Sequence, residues 1–260
     1  MQKALFFDID GTILDFKNFI PDSTREALRL LRANGHLTFL CSGRTRAFIQ
    51  NPRLLALGFD GIVSGCGTAV EYRGKRLFYQ RIERELAIHT VETVRSYGFR
   101  PILEGWEYLY LDEADFASDI YGRKLIREMG EKLLPIKDCW GEWEISKLSC
   151  TTDHADSESC FAALGGYYDL LIHNAEVVEM VPKGFHKGIG IEKVCERLGI
   201  DTADTFAFGD SVNDLGMFAT AGTAIAMGNG SEAAKTAATY VTGSLYQDGI
   251  WNACKYYNLI

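Results

Sequence analysis

Along the first part of the chain, the hydrophobic positions form short unbroken runs separated by amphipathic stretches. Ala4–Phe7 is one such run and residues 36–41 are another, and both have the pattern of strands buried in a parallel sheet. Between them, a capping-box sequence at 23–26 predicts the start of a helix and Asn34-Gly35 predicts its end. A third run, at 59–64, follows a second helical stretch. Repeated strand–helix–strand units predict an α/β fold with a doubly wound parallel sheet.

The hydrophobic pattern changes near residue 82. The alternating sequence at 107–111 is typical of an open sheet. The rest of this segment predicts helices at 83–97 and 116–133 and strands near 99–103, 143–151, 169–172 and 177–181. We interpret the segment as an α+β unit.

The strand–helix alternation resumes after that unit. A helix from Lys187 leads to an apolar run at 205–208, after which the alternation continues. We therefore predict a Rossmann-like core domain, residues 1–81 and 184–260, interrupted by an inserted α+β domain at residues 82–183.

Composition and charge restrict the classes of function. The content of 47% hydrophobic and 24% charged residues is ordinary for a globular protein. The formal net charge of −8 argues against a nucleic-acid partner, because phosphate backbones recruit basic surfaces. No apolar run approaches a spanning helix, and the amino-terminal run has the pattern of a strand rather than of a leader. We expect a cytoplasmic protein without membrane or nucleic-acid partners, and predict no obligate protein partner.

The seven cysteines are odd in number and scattered, with no CxxC pair. This usage favours reduced thiols over disulfide bonds or a zinc site. We interpret each cysteine as a small buried apolar residue rather than a nucleophile.

Two carboxylates, Asp8 and Asp10, follow the first apolar run. Residues two apart on a strand share a face, so the two side chains are expected to lie side by side. Adjacent carboxylates repel unless a cation or a proton lies between them, which predicts a divalent metal, acid/base chemistry or both. A hairpin is the alternative, because Asp10-Gly11 suits a type I′ turn, and these residues alone leave it open.

Further chemical features follow other predicted strands or begin a helix. They are Ser42-Gly43, Lys187, and the sequence Gly209-Asp210-Ser211-Val212-Asn213-Asp214. In a doubly wound sheet, ligands bind outside the carboxyl ends of the strands. Together these groups supply what phosphoryl transfer needs: a carboxylate nucleophile, oxygen ligands for Mg²⁺, and a hydroxyl, backbone N–H groups and a lysine for the phosphate oxygens.

Taken alone, each of these residues has a simpler interpretation. Asp210 could cap a following helix, and Asp214 could be a first-turn acid favoured by the helix dipole. Lys187 could be a solvated cation. Because all of them fall at the predicted ligand-binding edge, we favour the chemical interpretation.

The set resembles the haloacid dehalogenase superfamily of phosphatases, and most closely its Cof-type branch of sugar-phosphatase-like proteins with a large inserted α+β cap. The sequences that carry the resemblance are Asp8-Ile9-Asp10-Gly11-Thr12, Ser42-Gly43-Arg44, Lys187-Gly188, the loop 209–214 and the tail sequences at 226–229 and 248–250. The resemblance also implies a small β-hairpin flap just after the nucleophile.

The resemblance implies a role for each matching residue. Asp8 would attack phosphorus, and Asp10 would protonate the leaving oxygen and then deprotonate water. Mg²⁺ would be bound by Asp8, the backbone carbonyl of Asp10 and Asp210, with Asp214 supporting the site directly or through water.

Ser42, Gly43, Lys187 and Asn213 would hold the phosphate oxygens by the same resemblance. The sequence departs from the family pattern at two positions. His186 stands where serine is common, and Cys66 precedes Gly67 where many relatives have asparagine. The second departure is expected to alter a loop that faces the substrate.

The expected function is Mg²⁺-dependent hydrolysis of a small phosphorylated metabolite, a sugar phosphate first, through an aspartyl-phosphate intermediate. Two alternatives stay open. One is a phosphohexomutase of the same fold, and the other is a receiver-like signalling domain, although receivers are near half this length.

The remaining aromatic and histidine residues are assigned no chemical role. For Trp106, Tyr108 and Tyr110 packing is favoured over substrate contact, and His89, His154 and His173 are interpreted as surface or packing residues.

Overall fold

The structure of the protein is a computed structural model, which describes residues 2–117, 119–152, 156–172 and 177–260. His154 and His173 lie outside the described residues. The strands are β1 (Ala4–Phe7), β2 (Leu37–Cys41), β3 (Gly61–Ser64), β4 (Ala69–Tyr72), β5 (Lys75–Tyr79), β6 (Arg100–Gly105), β7 (Leu109–Tyr110), β8 (Leu133–Leu134), β9 (Ile145–Thr151), β10 (Tyr168–Ile172), β11 (Val177–Pro182), β12 (Thr205–Gly209), β13 (Thr223–Ala226) and β14 (Tyr240–Val241). The α-helices are α1 (Asp22–Ala33), α2 (Pro52–Leu55), α3 (Arg84–Ser96), α4 (Ile120–Met129), α5 (Ser157–Leu164), α6 (Lys187–Leu198), α7 (Leu215–Thr220), α8 (Glu232–Ala237) and α9 (Gly249–Tyr256).

Internal contacts divide the chain into two compact units. The core unit comprises Met1–Gly43, Asn51–Phe78 and His186–Ile260, and the inserted unit comprises Arg44–Gln50 and Tyr79–Phe185. The domain limits that we predicted from the sequence, at residues 81 and 183, stay a prediction beside this division. Across the part of the chain that the structure describes, no helix combines the length and the apolar character needed to cross a membrane.

The core unit contains one sheet in the order β14-β13-β12-β1-β2-β3-β4-β5. β1 pairs in parallel with β12 and with β2, so Phe7 lies opposite both Phe208 and Leu40. The pairs β12–β13, β13–β14 and β2–β3 are also parallel, which confirms the predicted α/β fold. β4 pairs antiparallel with β3, an extension that the sequence pattern did not predict.

The first strand is buried along its whole length. Ala4 and Phe6 pack in an apolar core with residues of α6 and α7, and Phe6 stacks on Phe39 with ring centroids 5.0 Å apart. On the opposite face, Phe7 stacks on Phe208 at 4.7 Å. Because both faces of β1 are packed, the strand fixes the position of the residue that follows it.

The inserted unit contains a second sheet, in the order β10-β11-β9-β6-β7-β8. Its pairs are antiparallel, except for β7 with β8. One face packs against α3 and α5 in an apolar core that includes Val91, Leu103, Leu148 and Cys160. This unit therefore has the α+β character predicted from the sequence.

A buried polar cluster lies on the other face of that sheet. Lys147 Nζ is 2.8 Å from Glu179 Oε2 and 3.4 Å from Glu104 Oε1. Ser149 and Thr45 both donate hydrogen bonds to the Glu104 carboxylate. Burial raises the pKa of Glu104, and the neighbouring Lys147 opposes that shift.

Two local predictions were wrong, and one helix was missed. The capping box at 23–26 is absent, because α1 begins at Asp22 and Pro21 occupies the N-cap position without a side-chain bond. The helix predicted over 116–133 is broken: α4 begins after Asp119, which caps it, and ends where Gly130 takes φ +50°. The prediction also missed α5, which Asp156 caps.

The aromatic residues of the inserted unit take part in packing. Tyr110 is buried in the apolar core and Tyr108 packs against that core. Trp106 contacts Tyr79 edge to face, with ring centroids 6.0 Å apart. His89 is exposed, and none of the seven cysteines, all of them in the described residues, forms a disulfide bond.

Candidate active site

Asp8 is the first residue after β1, and its side chain is buried. Its backbone N–H donates to the carbonyl of Phe208 at 2.9 Å, so the pairing with β12 extends to this residue. β1 ends at Phe7, and the same-face rule that we applied to Asp8 and Asp10 therefore does not reach them. Asp10 lies in an exposed turn, although its charge still raises the pKa of Asp8.

Lys187, the first residue of α6, connects three of the predicted site residues. Its Nζ donates to Asp8 Oδ1 at 2.6 Å, to Asp214 Oδ1 at 2.5 Å and to Asn213 Oδ1 at 3.2 Å. Burial disfavours the ammonium form, but the carboxylates of Asp8 and Asp214 outweigh it and raise the pKa of Lys187 well above its ordinary value. Lys187 is thus a buried, charged residue that contacts three site residues, rather than a solvated cation.

Negative charge is in excess around this lysine. Burial raises the pKa of Asp8; Lys187 opposes the shift and Asp214 adds to it. Burial, and then the charge of Asp214, raises the pKa of Asp210 to about 6. A divalent cation or a proton would relieve this excess.

The acidic residues fit a hard divalent cation. Asp8, Asp210 and Asp214 each place an oxygen within 4.8 Å of the other two. Asp210 Oδ1 is buried and has no hydrogen-bond partner among the described residues. A buried carboxylate oxygen without a partner, beside two other carboxylates, is the donor arrangement that an oxygen-coordinated cation requires.

Asp214 is already engaged by the protein. Its Oδ2 accepts from the N–H groups of Asp210 at 2.8 Å and Ser211 at 2.9 Å, and its Oδ1 accepts from Lys187. It also completes a capping box with Ser211, so Ser211 rather than Asp210 caps the short helix Val212–Asp214. Asp8 and Asp210 are therefore the better candidates for direct ligands, with Asp214 orienting the loop.

Ser42 and Gly43 follow β2, the neighbour of β1. Ser42 is buried, and its N–H donates to the carbonyl of Val63 at 2.9 Å. Cys41 Sγ lies 3.8 Å from the carbonyl oxygen of Lys187, so the end of β2 lies beside the start of α6. The predicted residues that form one contacting cluster are Asp8, Lys187, Asp210, Asn213 and Asp214, while Ser42 and Gly43 lie at the same sheet edge and Asp10 in the turn beside it.

The two departures from the family pattern have structural roles. His186 is the N-cap of α6, and its Nδ1 accepts from the N–H of Gly188 at 3.1 Å, so the histidine retains the capping function of a serine. Cys66 is buried at φ +56° and its N–H donates to the carbonyl of Ser42 at 3.1 Å. Asparagine tolerates that backbone conformation better than cysteine does.

Gly11 and Asn229 are site residues to which the sequence analysis assigned no role. Gly11 has φ +82°, and a Cβ there would collide with the carboxylate of Asp210. Asn229 donates to the Gly11 carbonyl at 2.8 Å and accepts from the N–H of Leu245 at 2.8 Å. The available signals were the Asp10-Gly11 pair and the tail sequence around Asn229, neither of which reveals its partner.

The chain is similar in sequence and in structure to known hydrolases. A family of haloacid dehalogenase-like hydrolases matches residues 5–254. YkrA of Bacillus subtilis, whose naming as a phosphatase is itself provisional, is 34% identical over 100% of this chain and 99% of its own length. The HMP-PP phosphatase of Serratia proteamaculans is 26% identical, over 88% of this chain and 85% of its own. The solved structure of BT4131, a subclass IIB sugar phosphatase, has a TM-score of 0.84 at 26% identity and covers 99% of this chain and 100% of that one.

The family match places the chain in a class of hydrolases, and its core has an α/β sheet. The chain belongs to the haloacid dehalogenase-like hydrolases, in its Cof-type branch. It is an enzyme of the phosphatase type.

Proposed function

We propose that the protein is a Mg²⁺-dependent phosphatase that hydrolyses a small phosphorylated metabolite, hexose phosphates first, through an aspartyl phosphate on Asp8. The observation that carries the proposal is the buried contact of Lys187 with both Asp8 and Asp214, beside an Asp210 oxygen that accepts no hydrogen bond from the described residues. It combines a carboxylate, a fixed cation and a free ligand oxygen in one place.

Asp8 is the proposed nucleophile. Its Oδ1 is held by Lys187, which leaves the other oxygen to attack phosphorus as the bond to the leaving oxygen breaks. Lys187, Asn213 and the residues Ser42-Gly43 after β2 would hold the phosphoryl oxygens. A second attack by water on the acyl phosphate would release phosphate and regenerate the Asp8 carboxylate.

Asp10 is the proposed acid and base. In the first step its carboxyl group would give a proton to the leaving oxygen, and in the second it would take a proton from the attacking water. Its exposed position in the turn after Asp8 suits a group that exchanges protons with water.

Asp8 and Asp210 would hold Mg²⁺, together with the backbone carbonyl of Asp10 that the family resemblance implies. Bound there, the ion would supply neutralisation of the carboxylates and of the charge on the phosphoryl oxygens. Asp214 would keep Asp210 and Lys187 in place through the hydrogen bonds described above.

The substrate class is supported by the relatives. One is a sugar phosphatase, another an HMP-PP phosphatase, and a third, 25% identical and from Bacillus subtilis, is a 5-amino-6-(5-phospho-D-ribitylamino)uracil phosphatase. A cytoplasmic location is part of the proposal, and it is supported by the lack of disulfide bonds among the seven described cysteines.

A phosphate-release screen tests the proposal. The purified protein is assayed with hexose phosphates, nucleotides and phosphorylated cofactors, in Mg²⁺ and in EDTA. We expect release from at least one sugar phosphate in Mg²⁺ only. Interconversion of sugar phosphates without free phosphate would indicate a mutase, and activity confined to phosphoproteins would contradict the substrate class.

A further inference from the structure

The segment that carries Asp10 has little regular structure of its own. Residues 9–20, here called the flap, contain one isolated bridge, between Asp10 and Leu14, rather than the two-stranded hairpin that we predicted. Two backbone hydrogen bonds close the turn. The N–H of Gly11 donates to the carbonyl oxygen of Leu14 at 2.8 Å, and the N–H of Leu14 donates to the carbonyl oxygen of Ile9 at 3.0 Å. Because the turn contains a single bridge, we expect contacts from outside it to contribute to the position of Asp10.

The second half of the flap is organised by Asp15, whose side chain is buried. Its Oδ1 accepts from the N–H groups of Lys17 and Phe19, both at 2.8 Å. Its Oδ2 accepts from the hydroxyl of Tyr246 at 2.6 Å, and the ring of Tyr246 stacks on Phe19 with centroids 6.0 Å apart. One residue outside the flap therefore holds it through both a hydrogen bond and a ring contact.

A second connection reaches the first half of the flap. Asn229 donates to the carbonyl of Gly11 and accepts from the N–H of Leu245, the residue next to Tyr246. The short helix Leu245–Gln247 is consequently linked to the flap at two points, directly to Asp15 through Tyr246 and indirectly to Gly11 through Asn229. Asp10 is the immediate neighbour of Gly11.

We propose that Tyr246, with Asp15 and Asn229, forms a clamp that positions Asp10 for proton transfer to the leaving oxygen. The inference rests on the proposed function, because it explains what holds Asp10, the proposed acid, in position. Tyr246 and Asn229 are positioning residues, since they act through the flap and not on the substrate.

The leaving group provides a readout that a purely structural role would not move. A p-nitrophenolate leaves without much help from an acid, whereas a sugar alkoxide needs its proton. Since kcat/KM reports the first irreversible step, a displaced Asp10 lowers kcat/KM for the alkyl ester selectively. The decrease in kcat/KM of Asp10→Asn on each ester measures the largest selective loss that displacement of Asp10 can cause.

The test compares Tyr246→Phe with Tyr256→Phe, using p-nitrophenyl phosphate and the best hexose phosphate from the screen. The two tyrosines match in exposure, 64% and 63%, and both belong to the core unit, but the ring of Tyr256 stacks on Tyr240, outside the flap. For Tyr246→Phe we expect kcat/KM on the hexose phosphate to fall about tenfold, a fraction of a general-acid contribution, and kcat/KM on the aryl ester to change less than about threefold. Asn229→Ala should give the same pattern, and Tyr256→Phe should change neither ester.

A measurement that does not depend on turnover accompanies the kinetics. Amide hydrogen exchange at Lys17 and Phe19 should be faster in Tyr246→Phe than in Tyr256→Phe, because Asp15 has lost its anchor. Equal losses on both esters, or no loss on either, would overturn the clamp while leaving the phosphatase assignment intact. A wild-type protein inactive on every ester would instead contradict the proposed function, and the clamp with it.

Discussion

Lys187 and Asp214 form an ion pair in which Nζ lies 2.5 Å from Oδ1 and neither side chain has exposed surface. Breaking a buried pair by removing one partner costs much more than replacing both, because it leaves an uncompensated charge in the interior. Removal of Lys187 alone would therefore leave an uncompensated charge in the interior of the core unit.

Lys187→Met should lower the free energy of unfolding by about 3 kcal/mol, because Asp8 and Asp214 lose their cation. The double variant Lys187→Met/Asp214→Asn should recover part of that loss. Urea unfolding in EDTA measures both. A single variant as stable as the wild type would show that the pair contributes nothing to the fold.

Asp8→Asn should abolish turnover without unfolding the protein. The amide keeps the shape of the carboxylate but is a far weaker nucleophile, and it removes one negative charge from a centre where such charge is in excess. Phosphate release and circular dichroism measure the two parts, with the exposed Asp22→Asn as the control. Turnover above background in purified Asp8→Asn would rule out its role as nucleophile.

The raised pKa values in the acidic centre also predict that the stability of the folded protein depends on pH. The folded-state pKa of Asp210, about 6, and the raised pKa of Asp8 exceed their ordinary value of 3.8. Above pH 3.8 the folded state thus holds more protons than the unfolded chain. The protonated carboxyl groups therefore contribute to the free energy of unfolding, and their contribution is complete below pH 3.8. It is lost as the pH rises through 6 and beyond.

Mg²⁺ competes with those protons, so its stabilising effect should grow with pH. We expect the increase in Tm caused by Mg²⁺ to be larger at pH 8 than at pH 5.5, and to be much reduced in Asp210→Asn. Thermal unfolding with and without Mg²⁺ checks this. A Tm increase that does not change with pH would contradict cation binding at these carboxylates.

Gly11 and Gly35 form a matched pair for a test of the turn. Both have φ +82°, but a Cβ at Gly35 meets nothing within 4 Å, whereas one at Gly11 meets the Asp210 carboxylate. Gly35→Ala should therefore cost about 1 kcal/mol of backbone strain and leave turnover unchanged. Gly11→Ala should lose Mg²⁺ binding and activity as well; equal behaviour of the two variants would show that the contact with Asp210 is unimportant.

Much of the fold could be predicted because it depends on local patterns. Apolar runs such as Ala4–Phe7 identified the parallel strands, and the carboxyl-end rule predicted which loops carry Asp8, Ser42 and Asp210. The break before α4 was also encoded locally, by Asp119 as a cap, but the apolar periodicity across 116–133 outweighed it. Hydrophobic period alone does not separate two consecutive helical segments.

The contacts of the site could not be predicted in the same way. Spacing shows that Lys187 and Asp214 approach the same edge, but only the packed structure shows that one ammonium bridges Asp8 and Asp214. Tyr246 is further removed, because its bond to Asp15 joins positions 231 residues apart. Nothing in the sequence around an exposed tyrosine indicates such a partner.

The division of the chain has an evolutionary consequence. Asp8, Asp210, Asp214 and Lys187 all belong to the core unit, while the inserted unit buries an apolar core of its own. None of these four residues belongs to that apolar core, so substitutions within it act on the packing of the inserted unit. We therefore expect a lineage to tolerate drift in the inserted segments of its gene while the codons of the four core residues remain under constant selection.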